Sequence, residues 1–188
     1  MKTALLVIDM LNDFFRDGRL KDNRYKLCNN INTLISAARK QNLEIFWVRQ
    51  IFKEDLSDAF LVMKKRNIRI TMENTEGAQF LKELDKNEND HEIIKKRYSA
   101  FYKTQLEEIL ANNGIDEVIL CGVNTHACIR TAAIDAYQRD LEVIIAKDCV
   151  DSPDKQHHDV SLQYLDNEIS RVLDSEQIIN NLLSPTKS

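Results

Sequence analysis

Apolar positions along this chain follow two rhythms: short continuous runs, and longer stretches in which they recur at every third or fourth residue. Thr3 to Ile8, Leu43 to Val48, Glu117 to Cys121 and Leu141 to Ala146 are runs of the first kind. Such runs predict strands buried on both faces of a parallel sheet. His91-Glu92-Ile93-Ile94-Lys95 and Arg171-Val172-Leu173 predict two shorter ones. Helical spacing appears at Leu27, Ile31, Leu34, Ile35 and Ala38 up to Gln41, and at Ile129, Ala132, Ala133, Ala136 and Tyr137. It appears again at Leu106, Ile109 and Leu110, a helix that Thr104-x-x-Glu107 would open as a capping box and Asn113-Gly114 would stop. Asp154 to Ile169 predicts a further helix after the break at Ser152-Pro153, and Asp174-x-x-Gln177 a capping box on a terminal one.

Strands and helices alternate throughout, which predicts an α/β fold: a mostly parallel, roughly six-stranded sheet covered by helices on both faces. The 188 residues suffice for one full core and fit one domain, 1–188, better than two. Only Ile51 to Asp90 is irregular, with one short helix predicted around Thr75 to Leu84 and a polar run from Asp85 to Asp90. An insertion of this length commonly carries substrate or subunit contacts.

Composition narrows the classes. The chain is 43% hydrophobic and 30% charged with a net charge of −4, its signs mixed, so no general electrostatic attraction to nucleic acid or anionic membrane is expected. The basic cluster Lys64-Lys65-Arg66 with Arg69 reads as a solvated face. Cys28, Cys121, Cys128 and Cys149 show no CxxC spacing and read as reduced thiols of a cytoplasmic protein. The first apolar run is too short for a membrane span and ends in Asp9, where a signal peptide would continue.

Chemistry gathers where strands end. The stretch Cys121-Gly122-Val123-Asn124-Thr125-His126-Ala127-Cys128 joins a strand to a helix. Ligands of open α/β sheets lie at that edge, and a thiol at a helix start is expected to ionise more easily. Taken alone, such a cysteine is more often a small buried hydrophobe. Asp9 and Lys95 end two other strands and so share its edge. Lys95 would favour a thiolate, and Asp9 could take the thiol proton and return it to a leaving group. Arg49, at a fourth strand end, could hold a substrate carboxylate or serve as an ordinary ion-pair partner. Phe14, in a polar loop, could wall a pocket or simply pack.

The sequence resembles the isochorismatase-like cysteine hydrolases, a family with nicotinamidases, N-carbamoyl amidases, ureidoacrylate-type amidases and isochorismatases among its members. The resemblance covers nearly the whole chain. It rests on Val7-Ile8-Asp9-Met10 with Asn12-Asp13-Phe14, on Lys95-Lys96-Arg97-Tyr98-Ser99-Ala100-Phe101 with Thr104 and Leu106, and on Gly122-Val123-Asn124-Thr125-His126-Ala127-Cys128, in that order. It implies a Rossmann-like three-layer α/β/α fold, with Cys128 as nucleophile, Asp9 as general acid/base and Lys95, rather than Lys96, as the cation beside both. It also implies a cis peptide between Val123 and Asn124 and an oxyanion hole of backbone N–H groups around Asn124 and at Cys128. The activity implied is cleavage of a C–N bond in a small amide, ureido or N-carbamoyl compound through a thioester. Vinyl-ether hydrolysis of the isochorismatase type is the alternative, and an interaction protein with an idle pocket is a third reading. The family also implies a homo-oligomer, a dimer or tetramer.

Departures from the family refine this. Nicotinamidases of the family hold a metal with an Asp and two His after the second strand, but the first histidine here is His91. Asp55 and Asp58 read as solvated, and His157-His158 point in different directions on a helix, so no metal and no cofactor are expected. Leu11 stands where many members carry Gln. True isochorismatases resemble a Gly at the position of Cys128, which favours the amidase branch. His126 reads as a pocket-wall or surface residue rather than a base. Phe14, Arg49, Tyr98, Phe101 and Asn124 are the candidates for shaping the substrate pocket.

Overall fold

The computed structural model describes residues 1–183. Six strands, β1 (Thr3–Ile8), β2 (Glu44–Gln50), β3 (His91–Lys95), β4 (Glu117–Val123), β5 (Glu142–Asp151) and β6 (Arg171–Leu173), form one sheet in the order β3-β2-β1-β4-β5-β6. Every neighbouring pair is parallel. The order reverses between β1 and β4, which puts a switch point beside the carboxyl end of β1.

Alternation along the strands builds two cores. Leu5, Val7, Ile119 and Cys121 face the long helix α1 (Gly18–Lys40) and the terminal α6 (Ser175–Leu183). Leu6, Ile8, Val118 and Leu120 face α3 (Leu106–Asn112), α4 (Arg130–Tyr137) and α5 (Lys155–Leu165). The six-residue α2 (Leu61–Arg66) lies outside the sheet in the 51–90 segment, above a small cluster of Phe52, Leu56, Ala59, Met63 and Met72. Among the described residues no helix is long and apolar enough to cross a membrane.

β1, β3 and β6 have the predicted bounds. Elsewhere the differences have local causes. Helix α1 begins at Gly18, well before Leu27, in a polar stretch, 18–26, of which Leu20 is the buried residue. The helix predicted over Thr75 to Leu84 is only a three-residue turn, Glu76–Ala78, while α2 arises where none was predicted. Strand β5 runs past Lys147-Asp148-Cys149, because its pairing with β4 shifts register between Leu120 and Gly122 and resumes at Val150 and Asp151. The Thr104 capping box forms only in part: α3 starts at Leu106, whose N–H donates to the Thr104 hydroxyl at 3.3 Å while that hydroxyl donates to Ala100 O at 2.6 Å, but Glu107 is taken by Arg139 at 2.7 Å. On α6 half of the predicted box is present, with Asp174 N donating to Gln177 Oε1 at 3.0 Å.

Candidate active site

Asp9 is the first residue past β1, and it turns into the left-handed region with φ of 55°. Its N–H still bonds to Val48 O at 2.8 Å, while its Oδ1 accepts the Gln50 N–H at 2.8 Å. Lys95 ends β3, on the far side of β2, with β1 about 9–10 Å away at two strand spacings. Its stem crosses that gap, and Nζ meets Asp9 Oδ2 at 2.7 Å. The same ammonium donates to Cys128 Sγ at 3.5 Å and to Arg97 O at 3.1 Å. Both charged side chains are wholly enclosed, each 0% exposed. Lys96 points elsewhere, to Asp58 at 2.8 Å and Ile51 O at 2.6 Å, so Lys95 is the lysine brought to the thiol.

Cys128 arrives from the other side of β1. Strand β4 ends at Val123, the Val123–Asn124 peptide is cis, and a single π-type turn, Thr125–Ile129, leads into α4. Asn124 O accepts from Ala127 N at 3.0 Å and Ile129 N at 3.2 Å, which winds the turn. Gly122 is required here: its φ is +112°, and a Cβ would lie 2.0 Å from Ile8 O. Only glycine lets β4 approach β1 this closely before the turn.

The electrostatics differ from the sequence expectation in one respect. Burial disfavours the Lys95 ammonium, yet Asp9 and Cys128 outweigh it and hold its pKa above the ordinary lysine value. The Cys128 thiol is pushed up to about 12, by burial and then by the Asp9 carboxylate, against Lys95 and the Asn124 N–H. The helix start and the lysine therefore do not yield a resting thiolate. The thiol keeps its proton and offers it to the Asp9 side chain.

The other candidates separate. Arg49 is not brought to the site: it alternates with Trp47 onto the α1 face, where it pairs with Glu92 and lies 5.6 Å from the Phe80 ring centroid. Phe14 packs against that same core, and Phe101 is a core residue of the other, covered by the Arg139 guanidinium. Tyr98 is half-exposed and packs against Phe60 with ring centroids 4.9 Å apart. Leu11 is buried and bridges to Phe80. His126 bonds through Nδ1 to Ser152 Oγ at 2.9 Å and leans on His157, while His158 Nδ1 meets Thr125 Oγ1 at 2.9 Å. Asp58 accepts from Lys53 N and Asp55 from Ser57 N. One participant carried no assigned role in the sequence: the Gln50 backbone N–H, which orients Asp9. It follows only from strand register, in which Gln50 stands opposite Lys95.

Comparison with known proteins identifies the family of the fold. The family model of the isochorismatase domain matches residues 3–177. The uncharacterized isochorismatase family protein YecD of Escherichia coli O157:H7 is 29% identical over 182 residues, 96% of each chain. Among solved structures, the N-carbamoylsarcosine amidase of Thermoplasma acidophilum superposes with a TM-score of 0.79 at 28% identity, covering 94% of this chain and 98% of that one. The nicotinamidase/pyrazinamidase of Bacillus subtilis gives 0.83 at 26% identity, covering 93% of this chain and all, 100%, of the other. A chain matched over nearly its whole length, with a parallel sheet that gathers Asp9, Lys95 and Cys128 at one edge, belongs to the isochorismatase-like family of hydrolases.

Proposed function

We propose that this hydrolase is a cysteine amidohydrolase that releases ammonia or an amine from a small amide, ureido or N-carbamoyl compound. The observation that carries the reading is the Lys95 ammonium, fully buried and in contact with both the Asp9 carboxylate and the Cys128 sulfur. A buried cation between a carboxylate and a thiol stabilises either anion, so a proton can pass between them without leaving an unpaired charge.

In the proposed first half-reaction, Cys128 Sγ bonds to the substrate carbonyl carbon as its proton moves to Asp9. Negative charge on the carbonyl oxygen is received by backbone N–H groups around Asn124 and at Cys128. Asp9 then protonates the nitrogen, the C–N bond breaks, and a thioester remains on Cys128. In the second, water gives a proton to Asp9 and its oxygen adds to the thioester; the acid leaves and the sulfur recovers the proton. Lys95 stays charged throughout. Such steps need a general base at the moment of attack rather than a preformed thiolate, in keeping with the raised Cys128 pKa.

The test is ammonia release from a panel of small amides, ureido acids and N-carbamoyl compounds, without added metal, by the wild type, Cys128→Ala and Asp9→Asn. Both variants are expected to lose about a thousandfold or more in kcat, the scale of removing a nucleophile or its base. Release that persists in Cys128→Ala overturns Cys128 as the nucleophile, and silence across the panel shifts weight to vinyl-ether hydrolysis or an idle pocket.

A further inference from the structure

Seven buried side-chain nitrogen or oxygen atoms have no hydrogen-bond partner among the described residues. Five belong to groups met by an opposite charge: Asp9 by Lys95, Asp13 by Arg16, Arg24 by Glu83, Arg49 by Glu92 and Asp58 by Lys96. Two neutral groups remain, the Thr71 hydroxyl and Asn124 Oδ1. Thr71 belongs to the 51–90 segment, where its amide is tied to Asp13 at 2.6 Å. Asn124 opens the turn that carries the nucleophile.

The backbone of Asn124 is committed. Its N–H faces the Cys128 sulfur, and its C=O takes the amides of Ala127 and Ile129. The side-chain oxygen is what is left, an acceptor closed from solvent four residues before Cys128. Buried acceptors are nearly always bonded, and the exceptions call for a partner or a role. Beside a nucleophile, the natural partner is a donor on the substrate.

We propose that Asn124 selects the substrate: its Oδ1 accepts an N–H of the group being cleaved, so the site takes primary amides and carbamoyl compounds in preference to esters of the same shape. An ester sets an oxygen lone pair against Oδ1 and leaves the acceptor buried without a donor. The inference rests on Cys128 being an amidase nucleophile. It adds a role for the side chain distinct from that of the Asn124 backbone.

The test measures kcat/KM for matched pairs: acetamide and methyl acetate, nicotinamide and methyl nicotinate, N-carbamoylglycine and N-(methoxycarbonyl)glycine. Wild type is compared with Asn124→Leu, which keeps the volume, and Asn124→Ser, which shortens the side chain. The amide-to-ester ratio is expected to fall about 10- to 100-fold in both variants, the range for losing one bond to a buried acceptor. A ratio that stays within twofold of wild type, or loss of both activities together in both variants, overturns the inference and makes Asn124 a structural residue. Amide turnover that survives Cys128→Ala, or wild type silent on every pair, instead overturns the amidohydrolase reading beneath it.

Discussion

The carboxyl edge of the sheet and the segment from 51 to 90 both gather charged side chains, but they are held in opposite ways. At the edge, position comes from the backbone: β1 sits between β2 and β4, and the pairings Ile8 with Gly122 and Gln50 with Lys95 fix where Asp9, Lys95 and the Cys128 turn must meet. In the segment, side chains share the holding with scattered backbone bonds such as Leu81 N to Met10 O at 2.9 Å. Asp13 Oδ2 takes Thr71 N at 2.6 Å, Asn12 Nδ2 reaches Glu76 O at 3.0 Å, and Arg97 Nη1 reaches Asp58 O at 2.8 Å. The edge is set by strand register and its charged side chains are buried; the segment is tethered and can be retied by one substitution.

The largest expected difference is at the thiol. With its pKa pushed up to about 12, Cys128 should react with iodoacetamide ever faster as pH rises from 7 through 10, about tenfold per unit and without a plateau. The sign follows from the cause: burial and Asp9 favour the neutral thiol, so the thiolate appears only as pH climbs toward 12. A plateau near pH 8, read by mass spectrometry of the Cys128 peptide, contradicts a closed edge.

Two glycines compare the regions directly. A Cβ at Gly122 meets Ile8 backbone at 2.0 Å and a positive φ, so Gly122→Ala should cost about 4 kcal/mol or more in urea unfolding. A Cβ at Gly77 meets the Asp13 carboxylate at 2.1 Å, a side chain that can swing away and release the Thr71 amide. Gly77→Ala should cost about 1–3 kcal/mol, the scale of one lost buried bond. Equal losses would mean the two regions are held alike.

Two neighbouring lysines extend the contrast. Lys95→Met leaves the Asp9 charge buried and unpaired, at a cost of about 3–5 kcal/mol, and adding Asp9→Asn should recover part of it. Lys96→Ala removes an ion pair to Asp58 in which the lysine side chain is 40% exposed, and such pairs contribute about 0–1 kcal/mol.

These differences also govern what the sequence reveals. Asp9 and Lys95 stand at the ends of apolar runs and Cys128 in the turn that follows a third, and parallel strands bring their ends to one edge, so the convergence is legible before any coordinates. The role of Gln50 is not, because it depends on register. Arg49, beside it, ends up on the other face through simple alternation, which the irregular chain after it obscured. Helix α2 has no side-chain cap and three basic residues in its last turn, so its six residues carry no helical signature beyond Met63 facing its cluster. Strand β5 hides its second half behind Lys147 and Asp148, polar residues that a register shift lets the strand absorb. Cys128 marks a further limit: position suggested an easily ionised thiol, while enclosure and the Asp9 carboxylate decide otherwise.

A thioester on Cys128 can be intercepted by hydroxylamine. Added during turnover of whichever amide releases ammonia fastest, it competes with water for the acyl group and diverts product to the hydroxamate, or to hydroxyurea for a carbamoyl substrate. That diversion is expected in proportion to hydroxylamine concentration in the wild type and not at all in Cys128→Ala. Ammonia release with no diverted product at any hydroxylamine concentration would mean that water attacks the substrate directly and that Cys128 forms no acyl intermediate.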